Sequence, residues 1–313
     1  TNESKDMYAR LPDRLINSVR GPVWELSKNS AGLAIYFYSD APEIQVRYQV
    51  NGGLNMPHMP STGVSGVDLY SINPHGKWNI CYGGYSFNDT IVYNYRNGIQ
   101  PDHGKGYEYK LYLPLYNSVK WLEIGIPEEK SLEFIPQIDE KPIILYGTSI
   151  AQGACASRPG MAWGTIVQRA IDHPIINLGF SGNGRLEKPI LDLIANTDAK
   201  AYILDCIPNL PDNDPQQTYD LTVAAVHQIR EKNQTPILLI EHVGCSNMNM
   251  DTMYHRAIAC KNQESRKAYE TLLDEGIKNL YYLSREDLLF PEDGWVDYVH
   301  PSDYGMHAQA VAV

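Results

Sequence analysis

The stretch Ile143-Ile-Leu-Tyr-Gly-Thr-Ser-Ile-Ala-Gln-Gly153 decides the fold of the C-terminal part of the chain. Four apolar residues come first and a glycine turn follows at Gly147, as at the end of a buried strand in an α/β protein. Ligands of open α/β sheets bind outside the carboxyl ends of the strands. We therefore predict that the hydroxyl of Ser149 lies at the reactive edge of a sheet.

Further strand-like runs follow this stretch, and helical segments separate them. Residues 142–146, 174–178, 201–204, 236–240 and 279–283 are mostly apolar, as in parallel strands that are buried on both faces. Residues 161–171, 186–194, 219–229 and 265–277 carry apolar side chains at three-to-four spacing, which is typical of helices. This alternation predicts a three-layer α/β/α sandwich around a parallel sheet of about five strands.

The first 135 or so residues have a different pattern, which predicts an antiparallel β-sandwich. Ile44, Val46, Tyr48 and Val50 alternate with polar residues, and residues 33–38, 107–113 and 119–126 are further strand candidates. A proline-bearing connection at residues 135–139 separates the two patterns. We predict two domains, residues 1–137 and residues 138–313.

Residues 51–60 have no clear period and are predicted to form an ordered loop. Met56, His58 and Met59 lie in this loop, but no neighbouring carboxylate or thiol completes a set of metal ligands. The five cysteines show no Cys-x-x-Cys spacing, and we interpret most of them as small buried residues: Cys81, Cys155, Cys206, Cys245 and Cys260. No metal and no cofactor is predicted.

The charge and hydropathy of the chain exclude several classes of partner. A net charge of −11 and a pI near 5.3 argue against nucleic acid or an anionic membrane surface as the main partner. No apolar run reaches the roughly 18–20 residues that a bilayer span needs, so we expect a soluble chain. The polar start Thr-Asn-Glu-Ser-Lys shows no signal sequence, which fits a cytoplasmic protein or a mature form without its leader. The oligomeric state is left open.

Polar residues at the predicted strand ends suit acyl transfer. A serine hydroxyl becomes nucleophilic when an imidazole takes its proton and a carboxylate orients that imidazole, and Ser149, His300 and Asp297 provide these three groups. The negative oxygen of the tetrahedral intermediate needs hydrogen-bond donors, which the glycine turn at Gly182 and the amide of Asn209 would supply. We predict Ser149, Asp297 and His300 as catalytic residues and Gly182 and Asn209 as the oxyanion hole.

These residues resemble the four sequence blocks of the SGNH hydrolases, also called GDSL-type lipases and esterases. Gly-Thr-Ser-Ile at 147–150 is similar to the first block, Ser-Gly-Asn at 181–183 to the second, Asn209 to the third and Asp-x-x-His-Pro at 297–301 to the last. Gly-Val-Asp-Leu-Tyr at 66–70 resembles the Gly-x-Asp-Leu-Tyr signature of a β-sandwich that precedes some bacterial members. The resemblance implies a flavodoxin-like hydrolase domain behind a jelly-roll-like domain, in a periplasmic or extracellular protein.

Two positions depart from the family pattern. Thr148 replaces the aspartate of the usual Gly-Asp-Ser, but the proposed mechanism does not use that carboxylate. The third block reads Cys-Ile-Pro-Asn-Leu at 206–210 instead of Gly-Gly-Asn-Asp, so Asn209 is assigned by its position and its chemistry.

Structural interpretations of the same residues remain open at this point. Ser149 has the position of a helix N-cap, and Ser181 lies in Gly-Phe-Ser-Gly-Asn, which misses the Gly-x-Ser-x-Gly elbow at its fifth position. Asp297 and His300 have the spacing of a surface ion pair, or of two metal ligands without a third. His242, beside Glu241, suits a buried hydrogen-bonded histidine better than a pocket residue, and Trp163 suits the core better than a sugar platform.

The composition bears only weakly on the substrate. Tyrosine (22) far outnumbers phenylalanine (5), and aromatic rings with polar tips suit a sugar-facing surface better than a lipid tunnel. We predict a short-chain, acetyl-type ester on a carbohydrate, as the resemblance also implies. A lipid or thioester acylhydrolase and a glycan-binding protein with a vestigial hydrolase half are the alternatives. The sandwich is predicted to be either a wall of the active site or a spacer.

Overall fold

The computed structural model describes residues 4–73, 75–96, 107–136 and 139–313. Its N-terminal part contains two antiparallel sheets, as predicted. The first sheet has the order β4-β3-β7-β1-β9 and the second has the order β5-β6-β2-β8. The bounds are β1 Ala34–Ser39, β2 Glu43–Val50, β3 Asp68–Ile72, β4 Trp78–Ile80, β5 Gly83–Ser86, β6 Ile91–Arg96, β7 Tyr107–Tyr112, β8 Val119–Gly125 and β9 Leu132–Phe134. The predicted domain boundary at residues 137 and 138 lies outside the described residues.

Aromatic and branched side chains fill the space between the two sheets. In β2, Ile44, Val46 and Tyr48 are buried while the residues between them are exposed, which confirms the period-two pattern of a half-buried strand. Val46 pairs with Tyr93 of β6, so branched and aromatic side chains lie opposite each other. Tyr109 of β7 is fully buried against Phe37, with ring centroids 5.2 Å apart. The tyrosines of β7 therefore belong largely to the core.

The C-terminal part is an α/β sandwich around one parallel sheet, with strand order β11-β10-β12-β13-β14. All described pairings in this sheet are parallel. The strands are β10 Ile143–Gly147, β11 Ile175–Gly179, β12 Ala201–Asp205, β13 Ile237–Ile240 and β14 Leu280–Leu283. The helices are α3 Ser149–Gln152, α4 Trp163–Ile171, α5 Lys188–Ala195, α6 Pro215–Arg230, α7 Thr252–Asp274 and α8 Asp303–Ala312. All five predicted strands and four predicted helices are present, with shifted ends.

The strand register aligns the carboxyl ends of the central strands at one edge of the sheet. Gly147 of β10 lies beside Gly179 of β11 and beside Asp205 of β12. The turns that follow these three strands therefore meet at the same edge of the sheet. Helices cover both faces of the sheet, and each face has its own hydrophobic core.

The first thirty residues differ from the sequence interpretation of an all-β N-terminal part. The first strand begins only at Ala34, and α1 (Gly21–Ser27) precedes it; a second short helix, α2, covers Ser61–Val64. Four apolar residues at four-residue spacing pack into the core of the α/β half: Leu11, Leu15, Val19 and Val23. Only Val23 of these lies in α1, and Leu15 ends a single 3-10 turn (Asp13–Leu15), so no regular helix or strand period marks this packing in the sequence. The chain thus begins on the α/β half before it builds the sandwich.

Among the described residues, every helix is too short or too polar for a membrane span.

Candidate active site

Ser149, His300 and Asp297 form a continuous chain of hydrogen bonds. The Oγ of Ser149 lies 3.0 Å from Nε2 of His300, and Nδ1 of His300 lies 2.7 Å from Oδ2 of Asp297. With the proton on Nδ1, the imidazole donates to Asp297 and its Nε2 accepts from the serine hydroxyl. The structure therefore brings together the three residues predicted as catalytic, although their roles remain a prediction.

The carboxylate of Asp297 is held in its charged form. Burial opposes ionisation, but hydrogen bonds from the His300 ring and from the backbone N–H groups of His300 and Val299 outweigh it, so the pKa of Asp297 lies below its usual value. The two N–H groups donate to Oδ1 at 2.7 and 2.9 Å. Because these donors fix one oxygen, the other oxygen points at the imidazole. The Asp-x-x-His spacing builds this turn from local contacts.

The turn after β10 presents Ser149 as the first residue of α3. The side chain of Thr148 accepts a hydrogen bond from the N–H of Ile150 at 3.3 Å, so Thr148 is the N-cap and Ser149 is not. Gly179 of the neighbouring strand has no room for a side chain, because a Cβ there would lie 2.3 Å from the backbone nitrogen of Gln152. Close backbone packing of this kind holds α3 against the strand ends. Ser149 itself is 7% exposed.

Hydrogen bonds join the turns that carry the predicted oxyanion donors. Gly182 has a φ of +68°, a conformation that favours glycine. In the same turn, the N–H of Gly184 donates to Oδ1 of Asn209 at 3.1 Å, and the N–H of Ser181 donates to Oε1 of Gln152 in α3 at 3.0 Å. Since its Oδ1 accepts a hydrogen bond, the Nδ2 of Asn209 is oriented as a donor. Gly182 and Asn209 thus lie on turns bonded to each other and to the nucleophile helix.

A loop of the sandwich also reaches the triad. Met56 and Met59 exchange backbone hydrogen bonds of 3.0 Å, which order the loop at residues 51–60, as predicted. The ring of His58 in this loop lies 5.8 Å from the ring of His300, at an interplanar angle of 18°. The sandwich therefore contributes a wall of this site.

A thiol lies on another side of the triad. Cys155 is buried, and burial together with the charge of Asp297 raises the pKa of its thiol to about 12. Sequence reasoning placed neither His58 nor Cys155 beside the triad. The only signal was His58, in a loop whose sequence holds no carboxylate or thiol to complete a set of ligands.

The Gly-Val-Asp-Leu-Tyr stretch at residues 66–70 joins the sandwich to residues 157–160, the nucleophile segment, which follows α3. Asp68 is 6% exposed, and its Oδ2 accepts from Nη1 of Arg158 at 2.8 Å and from the N–H of Gly160 at 2.7 Å. Arg158 also donates to the hydroxyl of Tyr70 at 2.7 Å. The N–H of Ser157 in the same segment donates to Asp303 of α8 at 2.8 Å. The acidic residue of the motif thus links the two halves next to the site.

The other residues considered from sequence have structural contacts. His242 is 1% exposed, its Nδ1 accepts from the N–H of Gly244 at 3.0 Å, and burial lowers its pKa to about 3. Glu241 is buried and accepts from Arg266 and Tyr282 at 2.8 and 2.7 Å. Trp163 is fully buried in the core. These contacts agree with the structural interpretation of His242 and Trp163.

Comparisons with known proteins cover both halves of the chain. Residues 140–313 match the family described as GDSL-like lipase/acylhydrolase, and residues 1–132 match the GxDLY family, described as the N-terminus of SGNH-hydrolase-type esterases. A search of curated protein sequences found no match at the significance applied.

Three solved structures show how far the similarity extends. A crystal structure described as a GDSL-like lipase from Bacteroides ovatus ATCC 8483 is 32% identical in sequence. Its TM-score is 0.90, and the alignment covers 98% of this chain and 90% of that chain. The salicylyl-acyltransferase SsfX3 from a tetracycline biosynthetic pathway is 20% identical, with a TM-score of 0.75 over 97% and 87%. An active site mutant of a family two carbohydrate esterase from Clostridium thermocellum is 13% identical, with a TM-score of 0.54 over 89% of each chain. The last two are similar in fold. The chain belongs to the GDSL-like lipase/acylhydrolase family and carries the N-terminal domain of SGNH-type esterases.

Proposed function

We propose that this protein is a serine esterase that removes short acyl groups, chiefly acetyl, from carbohydrate esters. The observation that carries the proposal is the hydrogen-bond chain from Ser149 through His300 to Asp297. A serine in such a chain loses its proton to the imidazole as it attacks, and membership of an acylhydrolase family agrees with this chemistry.

The proposed reaction has two acyl-transfer steps. The Oγ of Ser149 attacks the ester carbonyl and its proton moves to Nε2 of His300, while Asp297 stabilises the imidazolium. The N–H of Gly182 and the Nδ2 of Asn209 donate to the oxyanion. The alcohol then leaves with the proton from His300. Water attacks the acyl-serine in the same way, which releases the carboxylic acid and restores the hydroxyl of Ser149.

Polar surroundings support a short acyl group. Several side chains beside the triad and its neighbouring turns are polar: His58, Gln152 and Asn209. A long acyl chain gains about 0.8 kcal/mol for each buried CH₂, but only where an apolar wall receives it. Such a wall is not formed by these residues, so longer chains should gain little.

A tyrosine-lined cavity beside the nucleophile segment supports a sugar as the alcohol part. Its volume is about 410 Å³, and Ser157 and Arg158 of the nucleophile segment contribute to its lining together with four tyrosines: Tyr82, Tyr85, Tyr93 and Tyr95. Tyr82 and Tyr85 are 81% and 57% exposed, so their rings are available to stack on a sugar. The cavity is separate from Ser149, which suits a glycan that extends beyond its esterified residue.

The test compares acyl chain length and sugar dependence. We expect the purified chain to hydrolyse p-nitrophenyl acetate faster than the butyryl ester and much faster than the octanoyl ester. Tyr85→Ala should raise KM for an acetylated oligosaccharide and leave p-nitrophenyl acetate unaffected. Tyr281→Ala is the matched control, because Tyr281 is 55% exposed on the other half. Rates that rise with chain length would support a lipid or thioester acylhydrolase instead, and a folded protein without hydrolysis on any ester would support glycan binding.

A further inference from the structure

Four side chains with metal-binding atoms converge around the catalytic histidine. One ligand atom each of His58, Cys155, Asp297 and His300 lies within 4.8 Å of the others. No other group of at least three such donors occurs among the described residues. Neither the loop with His58 nor the Asp-x-x-His turn has a complete ligand set in sequence. In the folded chain, Cys155 and Asp297 lie beside His58, and His58 and Cys155 lie beside the Asp-x-x-His turn.

We propose that His58, Cys155, Asp297 and His300 form a zinc-binding site, and that a bound zinc ion inhibits the enzyme. Two imidazoles, one thiolate and one carboxylate are all ligands that Zn²⁺ accepts, and four of them complete its tetrahedral shell. The thiolate disfavours Mg²⁺ and Ca²⁺, which prefer oxygen ligands.

The spacing of the donors suits a small closing movement. Zinc bonds of about 2.0–2.3 Å place tetrahedral ligand atoms roughly 3.3–3.8 Å apart, so a separation of up to 4.8 Å must close by roughly 1 Å. Oδ2 of Asp297 and Nδ1 of His300 are now 2.7 Å apart in a hydrogen bond, so these two atoms must instead separate by roughly 0.6 Å for the ion to bind both of them. His58 is partly exposed in a loop, so its ring can turn towards the ion. The partial exposure of His58 also gives the ion access to the site from solvent.

The charges of the donors balance the ion. Binding displaces the proton of the Cys155 thiol to solvent, and the resulting thiolate together with the carboxylate of Asp297 offsets the two positive charges of zinc. An uncompensated thiolate would be costly in this buried position, whereas a metal-bound thiolate is neutralised.

Inhibition follows because His300 belongs both to the catalytic hydrogen-bond chain and to the proposed zinc site. Its Nδ1 is bonded to Asp297 and its Nε2 faces Ser149. Coordination through Nδ1 requires the Nδ1 proton to move to Nε2, which ends the hydrogen bond to Asp297 and leaves Nε2 unable to accept the proton of Ser149. Coordination through Nε2 occupies the lone pair that would accept this proton. Either mode leaves the serine hydroxyl without its activated partner. The zinc-bound form depends on the sandwich, because the sandwich provides one of the four ligands, His58.

The direct test measures zinc binding without relying on catalysis. Ser149→Ala keeps all four ligands, and we expect it to bind one zinc ion per chain in a calorimetric titration with ZnCl₂. In the same background, His58→Ala and Cys155→Ser should each weaken zinc binding by roughly tenfold or more, since even outer partners of metal ligands are worth this much. His75→Ala and Cys260→Ser are the matched controls, because both residues are exposed and lie outside the cluster.

A second arm measures inhibition on the active chain. Zinc should suppress ester hydrolysis, EDTA should restore it and MgCl₂ should have no effect. The ratio of rates with and without zinc should rise towards one in His58→Ala and stay unchanged in His75→Ala. Absence of hydrolysis would contradict the proposed function alone, since the calorimetric arm does not need it.

Three results would overturn the zinc site. They are no zinc binding by Ser149→Ala, equal binding by His58→Ala, and an equal loss in the two control variants. If Cys155→Ser fails to fold, as judged by circular dichroism, His58→Ala decides the matter, because it changes a partly exposed loop residue.

Discussion

The two halves of this molecule contribute to one site in different ways. The α/β half carries the proposed nucleophile, base, acid and oxyanion donors, all on turns at the carboxyl edge of one sheet. The sandwich contributes one side chain that lies beside the triad and another that bonds to residues 157–160, after α3. His58 lies beside His300, and Asp68 is bonded to Arg158 and Gly160.

We infer that the α/β half carries out the reaction and that the sandwich supports the site. Strand ends in register hold reactive groups rigidly, because each turn is fixed by the sheet behind it. The sandwich loop at residues 51–60 is not held by that sheet. It acts through individual side-chain contacts, each of which one substitution can remove. Substitutions in the α/β half should therefore affect turnover most, and those at the contact between halves should affect stability. The predictions below run from the largest expected effect to the smallest.

Loss of the nucleophile should abolish the reaction. Ser149→Ala should reduce kcat by about 10⁴-fold or more, because the hydroxyl that forms the acyl-enzyme is gone. Ser181→Ala is the matched control in the neighbouring turn, and we expect it to retain most activity. Steady-state kinetics on p-nitrophenyl acetate measure both. The reverse order of effects would make Ser181 the nucleophile.

Removal of the predicted oxyanion amide should cost less than loss of the nucleophile. Asn209→Ala should lower kcat by about 10²–10³-fold with little change in KM, because the lost donor acts on charge that develops in the transition state. The comparison variant is Asn196→Ala, an exposed asparagine at the end of α5. A normal kcat in Asn209→Ala would remove this residue from the site.

The contact between the halves should matter for stability. Asp68→Asn weakens a buried ion pair and should cost about 2–4 kcal/mol in the free energy of unfolding. Glu123→Gln serves as control, because its pair with Arg47 is 3.8 Å long and its partners are 65% and 51% exposed. That change should cost under about 0.5 kcal/mol. Urea unfolding measures both, and equal losses would mean that the motif does not fasten the halves.

A buried acid in the α/β half predicts a pH-dependent stability. Burial raises the pKa of Asp205 from 3.8 to about 7. The folded chain therefore keeps a proton that the unfolded chain releases, and stability falls as pH rises across this window. Asp205→Asn should be more stable than wild type by on the order of 2–4 kcal/mol at about pH 8. The gain should disappear at about pH 4.

Local contacts support the asparagine in that variant. Gln309 donates to Asp205 at 3.2 Å, and the Oε1 of Gln309 has no hydrogen-bond partner. The new amide can donate to this oxygen. Thermal melts at both pH values check the prediction, and an advantage of Asp205→Asn that is the same at both would contradict the raised pKa.

Local patterns made most of the α/β half predictable from sequence. The apolar run before Gly147 predicts a buried strand, and parallel strands bring Ser149 and Asn209 to one edge without further information. Asp297 and His300 are three residues apart, so their contact is local. The chemistry of a serine then identifies the partners it needs.

Contacts between the halves were hidden from sequence for a physical reason. His58 meets His300 only because two separately built sheets dock, and no periodicity encodes that docking. Asp68 was recognisable as part of a signature, but its partner Arg158 was not. The apolar residues from Leu11 to Val23 precede the sandwich in the chain but pack into the core of the α/β half. Most of them lie outside regular elements, so no period in the sequence indicated this packing.

The most direct test of the account asks which serine is activated and by which histidine. A fluorophosphonate forms a stable bond with an activated serine, and peptide mass spectrometry then locates the label. We predict labelling of Ser149 in the wild-type chain and in Glu123→Gln, and almost none in His300→Ala. Label on Ser181, or labelling of Ser149 that does not depend on His300, would contradict the central claim.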